Sequence, residues 1–133
     1  MFELTINDQV YQFNFGMGFL RETNKRQAVP VDGVPGAKKN IGCRYTIAGI
    51  IDKEPETLVD VLFIANEGQT PRLSKAALDK FVEDENTNID EVFEAVLGFL
   101  ETANATKNIT KNLQEMVEKE KAKQEAVEMT EKQ

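Results

Sequence analysis

Between Leu58 and Ala65 the chain carries seven apolar residues and one polar one, Asp60. Pro55 suits a first helical position, Glu56 sits where the helix dipole favours an anion, and Gly68 ends the run. A helix apolar on nearly every side has to be enclosed by other elements. The rest of the 133 residues must therefore supply partners that wrap it. Leu62 and Phe63 in this run are expected to be buried.

Two later stripes answer that need. Ala77, Leu78, Phe81 and Val82 form one, in a helix starting at Thr70-Pro71 or at Ser74. The other is longer: Ile89, Val92, Phe93, Val96, Leu97, Leu100 and Ala103 keep helical spacing after Asn88, a good cap. Val96 and Leu100 are expected in the core, and Phe99 lies at the stripe's edge. Glu83 to Asn88 separates the two helices.

The N-terminus shows period two instead. Phe2, Leu4 and Ile6 alternate with Glu3 and Thr5, and Tyr11, Phe13 and Phe15 with Gln12 and Asn14. A two-residue turn at Asn7-Asp8 pairs Ile6 with Gln9, Leu4 with Tyr11 and Phe2 with Phe13, so the apolar residues share a face. Such a hairpin must cover something, because alone it is marginal in water. Gly16-Met17-Gly18 breaks the strand, and 19–27 reads as a short helix. Residues 28–42 hold Pro30, Gly33, Pro35, Gly36 and Gly42 and read as a mobile loop. From Arg44 to Lys53 helix and strand spacing both fit.

Residues 108–133 contain no Gly, Pro or aromatic residue and are rich in Glu, Lys and Gln. Ile109, Leu113, Met116 and Val117 give about two turns of apolar stripe, after which apolar groups are too few to offset ordering entropy. The reading is an α+β fold: a domain over 1–107, its N-terminal hairpin packed on a small helical bundle, and a charged helical tail over 108–133 that buries little and frays towards Gln133.

Composition narrows the function. There is no histidine, which removes His-based acid–base chemistry, catalytic triads and most transition-metal sites. Sixteen Lys and Arg stand against 23 Asp and Glu, a net charge of −7, concentrated in residues 50–107. That sign disfavours nucleic acid and anionic membranes, and no run of apolar residues is long enough to span a bilayer. The single Cys43 has no base to activate it. Without a signal segment at the N-terminus, the Asn104-Ala105-Thr106 and Asn108-Ile109-Thr110 sequons are not expected to be glycosylated. Asp84-x-Asn86-x-Asn88 opens like a calcium loop but has Ile89 and Ala95 where Gly and Glu are required. Gly33 to Asn40 has the wrong spacing for a phosphate loop. The expectation is a non-enzyme without metal or cofactor.

One resemblance gives this a direction. The opening Phe2-Glu3-Leu4-Thr5-Ile6-Asn7, Val10 to Gly16 and Gly18-Phe19-Leu20-Arg21-Glu22 resembles the N-terminus of tail assembly chaperones from long-tailed phages of Gram-positive bacteria. The patterns Leu73-Ser74-x-x-Ala77-Leu78-x-x-Phe81 and Ile89-x-x-Val92-Phe93-x-x-Val96-Leu97-x-Phe99-Leu100 are similar to that family's helical part. The resemblance implies a chaperone that binds the tape measure protein and keeps it soluble in the host cytoplasm, and that is absent from the mature virion. Self-association stays open. The alternative is a small acidic adaptor or inhibitor of one globular host protein. Exposed apolar groups would carry such binding, and Phe99, Ile109, Leu113, Met116 and Val117 are the candidate partner-binding residues.

Overall fold

A computed structural model describes residues 1–131. These form two small antiparallel sheets and six helices: β1 (Phe2–Ile6), β2 (Gln9–Phe13), α1 (Met17–Asn24), β3 (Ala28–Pro30), β4 (Lys38–Asn40), α2 (Gly42–Ile51), α3 (Pro55–Ala65), α4 (Lys75–Glu83), α5 (Ile89–Thr102) and α6 (Lys107–Glu131). The architecture is α+β, with the β1–β2 hairpin docked on a helical bundle. The hairpin has the expected register, Phe2 opposite Phe13, Leu4 opposite Tyr11 and Ile6 opposite Gln9. Asn7 and Asp8 take positive φ of 52° and 63°, the primed turn whose twist suits a two-residue hairpin.

Local signals explain α3, α4 and α5. Pro55 opens α3, and Gly68, with φ of 79°, ends the turn that follows it. Ser74 Oγ accepts from the Ala77 amide at 3.1 Å and Asn88 Oδ1 from the Glu91 amide at 3.2 Å, two side-chain caps. Six of the eleven residues of α3 are buried. Leu62, Val96 and Leu100 are fully buried as expected. Phe63 is a correction: it is half-buried. It packs against the core on one side, while the Arg72 guanidinium lies 4.2 Å above its ring and Lys75 Nζ 5.5 Å away, so cations cover part of it.

The ambiguous segment after Gly42 is helix, and it is the bundle's hub: α2 packs on α1, α3, α5 and α6. Its N-terminal cap is not local. The Cys43 amide donates to Asn24 Oδ1, at the end of α1, at 3.0 Å. Gly42 is required by that approach, because a Cβ there would stand 1.8 Å from the Thr23 carbonyl oxygen. The first helix also starts earlier than expected, at Met17 rather than Phe19.

Two further expectations are corrected. Residues 28–42 are not simply a loop: Ala28, Val29 and Pro30 pair with Asn40, Lys39 and Lys38, and Gly33 and Gly36 turn the chain with positive φ. The pairing buries almost nothing, so no apolar alternation marks it. Nor is the tail solvated from its start. Ile109 and Leu113 pack against the core, and α6 meets both α2 and α5. Thr106 and Thr110 are fully buried. Both hydroxyls donate to the Leu100 carbonyl oxygen, at 2.8 and 3.2 Å, satisfying an acceptor stranded at the end of α5. From Glu118 to Thr130 every residue is exposed, on a continuous helix. The expected fraying towards Gln133 concerns Lys132 and Gln133, which lie outside the described residues.

Asn66 joins the hairpin to the bundle. Its side chain is fully buried, and its Nδ2 donates to the carbonyls of Gln12 (3.0 Å) and Pro71 (3.3 Å). Its Oδ1 accepts from the Leu73 amide (2.7 Å) and from an Arg72 guanidinium nitrogen (2.9 Å). Nearby, the Asn14 amide donates to the Ala65 carbonyl at 2.8 Å. Replacing Asn66 by Ala strands several of these groups, so the loss should exceed about 2 kcal/mol in a denaturant titration. Leu62→Ala should cost about 2–5 kcal/mol and Phe63→Ala clearly less. Ending the chain after Lys107 should lower the melting temperature, whereas ending it after Val117 should not.

Candidate functional site

A mainly apolar concavity lies where the hairpin meets the end of α5. It is a cleft of about 560 Å³ lined mainly by Met1, Phe2, Phe15, Met17, Phe99 and Ala103. The hairpin supplies Phe2, and the strand break supplies Phe15 and Met17. The Phe2 and Phe99 rings lie 4.9 Å apart, with Phe15 5.9 Å from Phe2 and 5.2 Å from Phe19. These spacings suit tilted aromatic packing. Phe2, Phe15 and Phe19 are buried, while Phe99 is 38% exposed, Met17 49% and Met1 67%. The cluster therefore has a closed floor and an open, methionine-rich rim.

The five candidate partner-binding residues do not gather into one surface. Phe99 lies in the cleft, whose lining includes none of Ile109, Leu113, Met116 or Val117. Ile109 and Leu113 are half-buried and turned onto the core. Val117 is half-buried, and Met116 is 55% exposed on α6. Met1 and Met17 are the residues sequence reasoning missed. Neither belongs to a helical stripe, and only the docking of the hairpin brings them beside Phe99.

The sequence motifs resolve into structural roles. Asp84 Oδ1 accepts from the Asn86 amide at 2.9 Å, and Asn88 caps α5, so this stretch is a turn and a helix start. Gly33 and Gly36 belong to the turn between β3 and β4. Cys43 is buried, and that burial pushes its thiol pKa up, with a hydrogen bond to the Thr23 side chain opposing the shift. That is the reverse of an activated thiolate. Among the described residues no His, Cys, Asp or Glu cluster could hold a metal ion, and no helix is long and apolar enough to cross a membrane.

A protein-family model described as phage tail assembly chaperone protein matches residues 3–115. The chain belongs to that family. No curated protein and no solved structure matches it. The matched span of this tail assembly chaperone runs from β1 into α6 and contains most of the cleft, including Phe15, Met17 and Phe99. Its role is accordingly that of a chaperone in tail assembly.

Cys43 gives a direct check on this packing. Its folded-state pKa is raised, so the folded protein holds the thiol proton at a pH where the unfolded chain has released it. Stability is therefore complete below the unfolded thiol pKa and falls as pH rises above it. The expected result is a decline in stability above about pH 8.5 that Cys43→Ala lacks. In the native protein, iodoacetamide should label Cys43 far more slowly than in denaturant.

Proposed function

We propose that this tail assembly chaperone binds the tape measure protein and keeps it soluble in the host cytoplasm until the tail tube assembles, without catalysis and without remaining in the virion. The observation that carries the reading is the open aromatic–methionine cleft on a chain of net charge −7. A long helical client aggregates through its apolar stripes unless they are covered. Phe2 and Phe15 provide a rigid floor, and Met1, Met17 and Phe99 an adaptable rim. Family membership supports the assembly role and directs the choice of client.

Within this reading, Phe99 meets the client at the cleft. Met116 and Val117 extend the contact along α6, and Ile109 and Leu113 hold that helix in place while offering their remaining exposed edges. The acidic surface contributes solubility and steering rather than the bulk of the affinity.

Co-expression with the cognate tape measure protein should raise its soluble yield. The complex should survive a wash at about 0.5 M salt, where exposed charge pairs are screened. Met17→Asp and Phe99→Asp should each lower the recovered client while the variants stay folded by circular dichroism. Equal client solubility with and without the chaperone would sink the reading. Recovery of a one-to-one complex with a globular host protein would replace it with the adaptor alternative.

A further inference from the structure

A second concavity is larger than the cleft, and the proposed function leaves it unused. It has a volume of about 700 Å³ and lies between β1 and the α4–α5 corner. Leu4 and Ile6 of β1 line one side, and Phe81, Val92 and Ala95 the other. Asp84 and Glu91 stand in its lining with Lys80.

The backbone of β1 gives this groove a direction. The Gln12 carbonyl is spent on Asn66 Nδ2, so it points away from β1, along the outer edge of β2. In an antiparallel ladder, a residue whose carbonyl points outward belongs to a non-hydrogen-bonded pair. Gln12 pairs with Glu3, and Val10, two residues away, with Thr5. Glu3 and Thr5 therefore direct their own N–H and C=O groups away from β2, and Thr5 lies in the groove lining. Among the described residues these groups have no hydrogen-bond partner. Asn66 and the Asn14–Ala65 bond cover the edge of β2 at its Gln12–Asn14 end, while the edge of β1 at Glu3 and Thr5 is open and Thr5 lines the groove.

We propose that this groove binds an extended, basic segment of a partner protein, which adds as a third strand to β1. An open edge with alternating donors and acceptors is satisfied by another extended backbone and not by a helix, whose backbone groups are already paired. Alternate side chains of the added strand lie over Phe81, Val92 and Ala95. The charge selects the partner. Residues 83–94 hold six carboxylates and no Lys or Arg. Among the described residues, neither Asp84 nor Glu91 has an ion-pair partner. A segment alternating apolar residues with Lys or Arg matches edge, floor and rim together. The proposal does not rest on the cleft around Phe99.

The test uses the full chain and a fluorescent peptide of alternating valine and lysine, read by anisotropy. Binding is expected, weakening as salt rises. The fully N-methylated peptide keeps every charge but donates no backbone hydrogen bond, and should bind at least about tenfold more weakly. A valine–glutamate peptide should not bind. Thr5→Pro removes an outward N–H without touching the β1–β2 ladder and should weaken binding about tenfold or more, with circular dichroism confirming the fold. Asp84→Asn with Glu91→Gln should flatten the salt dependence, and Met17→Asp should leave binding unchanged. Equal binding of the N-methylated peptide overturns the proposal, since charge alone then explains it. So does an oligomer that Thr5→Pro dissociates in the absence of peptide binding, which places a second copy of the chain in the groove.

Discussion

The Asn66 side-chain amide uses its whole hydrogen-bonding capacity, two donated and two accepted bonds, at a site with no exposed surface. Its partners come from two places: Gln12 of β2, and Pro71, Arg72 and Leu73 of the segment leading into α4. Arg72 also donates to the Phe63 carbonyl at 2.8 Å and covers that ring. A buried amide satisfied this way fixes position, because moving any one partner strands a polar group away from water. The hairpin therefore sits at one place on the bundle. Both candidate surfaces follow. With β2 held at Asn66, Phe2 and Phe15 reach Phe99 and form the cleft, and β1 is left as the free edge above the α4–α5 corner.

The parts legible in the sequence are those where two local signals agree. Strand alternation and a two-residue turn specify the same register for residues 2–13. Caps at Ser74 and Asn88 stand directly before apolar stripes. Helix α2 stays ambiguous between helix and strand for the same reason in reverse. Its cap, Asn24, lies in another helix, and its glycines at 42 and 49 look like breakers although they permit close approach. A Cβ at Gly49 would meet the Thr57 side chain at 2.6 Å. Because helix and strand spacing both fit Arg44 to Lys53, the sequence offers Ile109 and Leu113 no definite partner surface, and the tail reads as free. The two sequon threonines tell the same story: the α5–α6 corner buries Thr106 and Thr110 and uses their hydroxyls.

The candidate site was half legible. Phe99 stands out because a stripe has an edge, and an aromatic there is either packed by another element or exposed. Here it is both, touching Phe2 while remaining partly open. Met1 and Met17 carry no periodic signal. They enter the site through the docking of the hairpin, a tertiary event set by the buried amide of Asn66, and no spacing along the chain encodes it.

A chaperone with an exposed apolar cleft faces its own aggregation problem. Three features of this chain reduce it. The open rim consists of two flexible methionines and one aromatic edge, over a floor already closed by packed rings, so the contiguous apolar area stays small. The net charge of −7 makes two copies repel at distance, while a client of opposite or low charge pays no such penalty. The apolar residues of α6 nearest the bundle, Ile109 and Leu113, are engaged with the core rather than free. The same arithmetic sets the strength of client contact. If the client is the long helical protein proposed above, a rim this small holds it weakly at any one site, and retention then comes from many copies distributed along it, each contributing a weak apolar contact and a share of negative charge.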